Sequence, residues 1–113
     1  MLVRLLRPTG VAAVCAFLLA TAGHAADREI PLTIEGNRFN PEEIKVAAGA
    51  PFVLVITNKD RAPEEFESEP LRIEKVIPGG KTVRIKVRAL KAGSYPFVGD
   101  FHEKTARGRI VAE

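Results

Sequence analysis

The sequence predicts an all-β domain, a Greek-key β-sandwich of about seven to eight strands, and three observations carry that reading. From Arg28 onward apolar residues alternate with polar ones in short runs, the period of half-buried strands rather than helices. Turn residues punctuate the chain at intervals of roughly 8 to 12 residues. No segment sustains a helical period over the length of an ordinary helix.

Residues 1–26 come before the domain and read as a secretory signal peptide. Arg4 and Arg7 give a basic start, residues 11–22 an apolar run, and small residues a cleavage site after Ala25 or Ala26. The run is short for a membrane span. Residues 27–113 then form one domain, placed in the periplasm. Ile30, Leu32 and Ile34 make the first apolar face, and Asn37 to Pro41 a turn. Ile44 and Val46 make a second face, closed by Gly49 and Pro51. Phe52 to Thr57 is nearly continuous in apolar character and is expected at the centre of a sheet, covered on both sides.

Asn58 to Pro63 has the composition of a polar loop. Glu64 to Glu69 is an acidic run around one core residue, Phe66. After Pro78, Gly79 and Gly80 the chain enters Lys81 to Arg88, where Val83, Ile85 and Val87 alternate with cations. Gly93 leads into Tyr95 to Val98, with Tyr95 placed for a tyrosine-corner hydrogen bond, and Gly108 to Val111 closes the domain. An immunoglobulin-like sandwich would want a cysteine pair and a tryptophan, which are absent here.

Composition excludes several function classes. Cys15 lies in the signal region, so residues 27–113 hold no cysteine and one histidine, His102, and a disulfide framework is ruled out. Of 17 Lys and Arg, Arg4 and Arg7 leave with the signal, and 15 remain against 14 Asp and Glu. Near-neutral charge and the lack of an aromatic basic stripe argue against nucleic-acid binding.

Pieces of the chain in order resemble the cupredoxin family: Phe39 to Gly49 (FNPEEIKVAAG), Thr57 to Asp60, Pro78 and Gly79, Gly93 to Phe97, then His102 and Gly108. In that family copper is held by two histidines, a cysteine and a methionine. By this resemblance the first ligand position falls on Glu64, the cysteine on Gly99, the second histidine on His102 and the methionine near Ala106. The cysteine sulfur that defines a blue electron-transfer centre is missing. A closer similarity, carried by Pro63 to Ser68 (PEEFES), Leu71 to Lys75 and Tyr95 to Ala106, is to cupredoxin-like periplasmic proteins of bacterial iron-uptake systems, the FtrB-like group and the EfeO cupredoxin domain. It implies an accessory role in ferrous-iron uptake, with an iron permease and a periplasmic iron-binding protein as partners.

The candidate metal ligands are Glu64, Glu65, His102, Asp100, Glu74 and Glu103. Carboxylates with an imidazole suit iron or Cu(II) and favour Cu(I) poorly. If Glu64 takes the first-ligand position that the resemblance implies, it goes inward with Phe66, since residues two apart share a strand face, while Glu65 and Glu67 share the opposite side. The bland readings are a solvated acidic strand edge, above all for Glu67 and Glu69, and ion pairs of Asp100, Glu103 or Glu74 with Lys75, Lys104 or Arg107. No catalytic constellation stands out, and a ferroxidase role would need a partner or bound copper. The competing function is a metal-free interaction module docking on a membrane protein or a soluble partner.

Overall fold

The computed structural model describes residues 2–4, 10 and 26–113, so the expected signal peptide lies largely outside the described residues. Among them no helix is long and apolar enough to cross a membrane. The described chain is a two-sheet sandwich of nine strands. These are β1 (Arg28–Glu35), β2 (Arg38–Asn40), β3 (Glu43–Val46), β4 (Phe52–Asn58), β5 (Glu64–Ser68), β6 (Ile73–Ile77), β7 (Thr82–Val87), β8 (Gly93–Gly99) and β9 (Arg107–Ala112). A single 3₁₀ turn, Asp100–His102, follows β8.

One sheet runs β2-β1-β4-β7 and the other β3-β9-β8-β5-β6. The chain forms three in-sheet antiparallel pairs, β1–β2, β5–β6 and β8–β9, and crosses between sheets at its other connections, so that β1–β4 and β3–β9 pair in parallel. Two strands exceed the expected set. β2 lies inside the stretch read as a turn, where one apolar residue, Phe39, is too little to register a period. β6 is an edge strand with only Ile77 fully buried, so its sequence has no alternation to read.

β4 takes the central place expected of it, between β1 and β7. Its outer side is less covered than its apolar sequence suggests: Val53 is buried but Val55 and Thr57 are half-buried. The register sets charged neighbours there, with Val53 opposite Lys86 and Val55 opposite Arg84.

Leu32, Leu54, Ile56, Ile77 and Ile110 are fully buried between the sheets. At one end the core becomes aromatic. The ring of Phe39 meets Phe97 edge-on at 5.0 Å, and Phe66 lies 5.0 Å from Phe97. Gly108 makes this possible, since a Cβ there would sit 2.5 Å from Phe97 Cζ. Tyr95 donates its hydroxyl to the Lys91 carbonyl at 2.7 Å, the expected tyrosine corner.

The loops at this end are tied by side chains. Buried Asn58 donates to the carbonyls of Ala62 (2.9 Å) and Ile77 (3.0 Å) and accepts the Asp60 N–H. The Asp60 carboxylate accepts the N–H groups of Gly36 (2.9 Å) and Asn37 (3.0 Å). These bonds hold its pKa below the ordinary aspartate value. They also lock the chain that enters β5.

Candidate metal centre

β5 enters the sandwich with alternating burial, so Glu64, Phe66 and Ser68 point inward while Glu65 and Glu67 lie on the half-buried outer side. Burying Glu64 demands partners, because an unpaired carboxylate in a core costs several kcal/mol (order of magnitude). They are supplied in full. Oε1 accepts the backbone N–H groups of Glu65 and Phe101, each at 3.0 Å. Oε2 lies 2.5 Å from His102 Nδ1, and the Glu64 side chain is only 2% exposed. Among the described residues no buried side-chain nitrogen or oxygen lacks a partner.

The carboxylate rests on Gly99. A Cβ at that position would meet Glu64 Cδ at 2.6 Å, Ala106 Cβ at 2.7 Å and Glu64 Oε1 at 2.9 Å. Gly99 has ordinary extended backbone, with φ −88° and ψ 105°, so it is required by space and not by conformation. Its N–H bonds the Ala106 carbonyl at 2.8 Å, closing the loop that carries His102. The space a cysteine side chain would need is therefore filled by the Glu64 carboxylate. The donors here do not fit a thiolate-bound copper.

Four of the six sequence-derived residues fall into two groups, and the other two lie beside them. Glu64 and His102 form the inner pair. Outside, Glu65 and Asp100 come together with Glu67, each offering a carboxylate oxygen within 4.8 Å of the others. Glu74 borders this group, since β6 sets it directly opposite Glu67. Glu103 lies outside the carboxylate trio but lines the surface hollow that His102 and Asp100 share, and its carbonyl accepts the Arg107 Nε–H at 2.6 Å. Among the described residues, none of the expected ion pairs of Asp100, Glu74 or Glu103 with Lys75, Lys104 or Arg107 forms.

Glu67, read from the sequence as a solvated edge, belongs to the outer group. Its period-two spacing from Glu65 was the signal that could have found it. Asp100 links the two groups, because it also lines a surface hollow with His102, Phe101, Asn37 and Thr105.

The outer group is electrostatically unfavourable when fully ionised. Desolvation, then the charges of Asp100, Glu74 and Glu64, raise the Glu65 pKa above the ordinary glutamate value. For Glu67 the close contact with an Asp100 oxygen comes first, followed by desolvation and the charges of Asp100, Glu74 and Glu65. Oxygen and nitrogen donors in this combination suit hard and borderline cations.

Comparison with known proteins agrees with this architecture. The sequence model for the cupredoxin-like domain matches residues 9–112. An uncharacterized protein of Rickettsia prowazekii (strain Madrid E) is 37% identical over 83 residues, and the match covers 74% of this chain and 66% of that protein. Auracyanin A, a "blue" copper protein of Chloroflexus aurantiacus, superposes with a TM-score of 0.66 at 15% identity over 78% of this chain and 100% of that one. The metal-binding domain of the Cu(I)-exporting P-type ATPase of Streptococcus pneumoniae D39, solved with Cu(I), gives 0.64 at 17% identity over 75% and 84%. At such identities the structural likeness establishes the fold alone. With its family model matched over nearly its whole length, the chain belongs to the cupredoxin-like domain family.

Proposed function

We propose that this protein is an exported, periplasmic cupredoxin-like accessory protein of ferrous-iron uptake. It takes iron, with Cu(II) as the competing ion, through oxygen and nitrogen donors in place of a thiolate. One observation carries the reading. The Glu64 carboxylate occupies the space a cysteine would need at Gly99, so the donors left at this end of the sandwich are carboxylates and the single imidazole of His102. Asp100, Glu65 and Glu67 hold the ion as a carboxylate trio, with His102 adding its imidazole from the hollow it shares with Asp100, and the repulsion that raises the Glu65 and Glu67 pKa values is relieved by a bound cation.

The iron is cargo, and the closer resemblance to iron-uptake proteins supports an iron permease and a periplasmic iron-binding protein as partners. Ferroxidase chemistry requires an electron acceptor, supplied by dioxygen, a bound copper or a redox partner. Anaerobic calorimetric titration with Fe(II), and a parallel titration with Cu(II), test the reading. Saturable heat that is lost in His102→Ala and weakened in Asp100→Ala supports it, and no saturable heat with either ion overturns it.

A second reading is a metal-free docking module, favoured by the complete internal satisfaction of Glu64 and by exposed Phe101 and Val76 near the same end. A partner that co-purifies equally well with and without a chelator would favour it over the first.

A further inference from the structure

We infer that Glu64 is not a ligand but the positioning residue of the site: it fixes the proton of His102 on Nδ1 and so presents Nε2, with its lone pair free, to a metal ion outside the sandwich. The inference rests on the metal-binding reading above and assigns the geometry of that site. Both oxygens of Glu64 are committed. Oε1 receives two backbone N–H groups, and Oε2 faces His102 Nδ1 at 2.5 Å. A carboxylate is acceptor-only when ionised, so the neutral imidazole must donate from Nδ1 to meet it. Nε2 is then the acceptor.

The two residues differ in access as these roles require. Glu64 is 2% exposed while His102 is 29% exposed, so the imidazole reaches from the core to the surface and the carboxylate stays beneath it. His102 also lines the outer hollow that holds Asp100. A histidine that binds metal through one nitrogen commonly donates its other N–H to a carboxylate, which sets ring orientation and raises ligand basicity. Here that carboxylate has two backbone donors of its own, so it cannot turn away.

Replacing Glu64 by glutamine tests the idea sharply, because glutamine has the same shape but one oxygen. The N–H groups of Glu65 and Phe101 claim that oxygen, which leaves the amide NH₂ facing Nδ1. The imidazole must then accept at Nδ1 and carry its proton on Nε2, where it blocks the metal.

Long-range ¹H–¹⁵N correlation spectra of His102 at about pH 8, above the ordinary histidine range, read the tautomer directly. Zn(II) serves as a diamagnetic probe. The expected result is an Nδ1–H tautomer in the wild type, with Zn(II) shifting Nε2 alone. In Glu64→Gln the tautomer reverses and Zn(II) binding weakens by about 10- to 100-fold.

An Nε2–H tautomer in the metal-free wild type overturns the inference and leaves the metal reading standing. So does Zn(II) binding that His102→Ala abolishes but Glu64→Gln leaves unchanged. No saturable Zn(II) binding to the wild type overturns the assigned geometry, and the separate Fe(II) and Cu(II) titrations then decide the metal reading. The wild-type tautomer is measured without any variant, so a poorly folded Glu64→Gln protein does not remove the test.

Discussion

Adding a methyl group at Gly99 should destabilise the sandwich, and the share of that cost due to Glu64 should vanish if Glu64 is shortened at the same time. A Cβ at position 99 lies 2.6 Å from Glu64 Cδ and 2.7 Å from Ala106 Cβ, roughly 1 Å inside the usual carbon–carbon contact of about 3.5–4.0 Å. Neither neighbour has room to give. Ala106 is fully buried, and Glu64 is held by two backbone N–H groups and His102.

Overpacking of this kind costs about 1–3 kcal/mol. Alanine's lower unfolded-state entropy returns about 0.4–1 kcal/mol, because the backbone of Gly99 suits any residue. Gly99→Ala alone should therefore lose roughly 1–2 kcal/mol. Glu64→Ala should lose more, about 2–4 kcal/mol, because it leaves two backbone N–H donors and the half-buried His102 imidazole without their acceptor. In the double variant the new methyl enters space the carboxylate has left while its contact with Ala106 remains, and the pair should couple by about 1 kcal/mol. Urea melts of the wild type, both single variants and the double variant measure the cycle. Additivity within about 0.5 kcal/mol would refute the contact between residue 99 and the Glu64 carboxylate, and with it the account of the missing thiolate.

Three further outcomes follow from the same geometry. Gly108→Ala should destabilise by about 1–3 kcal/mol, since its Cβ would lie 2.5 Å from Phe97 Cζ and 2.6 Å from the Glu42 carbonyl; a thermal melt at wild-type temperature would contradict the aromatic packing. The Asp60 pKa is depressed in the fold, so its carboxylate contributes stability that is present above the unfolded aspartate value and lost as pH falls through the lower folded value. The stability gap between wild type and Asp60→Asn should therefore narrow in acid, and a gap independent of pH would sink that assignment. Glu67 has the opposite sign: its raised pKa means ionisation opposes folding once pH passes the unfolded glutamate value. Metal-free Glu67→Gln should melt higher than wild type at neutral pH and lose that advantage in acid, as thermal melts across pH would show.

The strands that carry a two-residue period, β1, β3 and β7, were legible because burying one sheet face forces alternation into the sequence, and β4 was legible by its near-continuous apolar run. β2 and β6 were not, because a three-residue strand and an edge strand bury too little to leave a pattern. The candidate site divided along the same line. The family resemblance, which gave Glu64 the first-ligand position, together with the period of two put Glu64 inside and Glu65 with Glu67 outside, and the structure agrees. The pairing of Glu64 with His102 joins residues 38 apart in sequence, and no local rule reports it. Nor could the sequence reveal that Gly99 is a glycine because a carboxylate lies against it. The role of Glu67 was hidden differently, since whether an acidic residue on a strand is merely solvated depends on what the neighbouring strand and loop bring, here Glu74 and Asp100.

The central claim is that this end of a cupredoxin-like sandwich carries oxygen and nitrogen donors for a hard ion, with His102 binding from its outer nitrogen. X-ray absorption at the iron edge, on protein loaded anaerobically with Fe(II), tests it most directly. The account predicts a coordination sphere of oxygen and nitrogen only, with the outer-shell scattering of a single imidazole that disappears in His102→Ala. A wild-type spectrum without imidazole scattering, indistinguishable from iron in buffer, would contradict it.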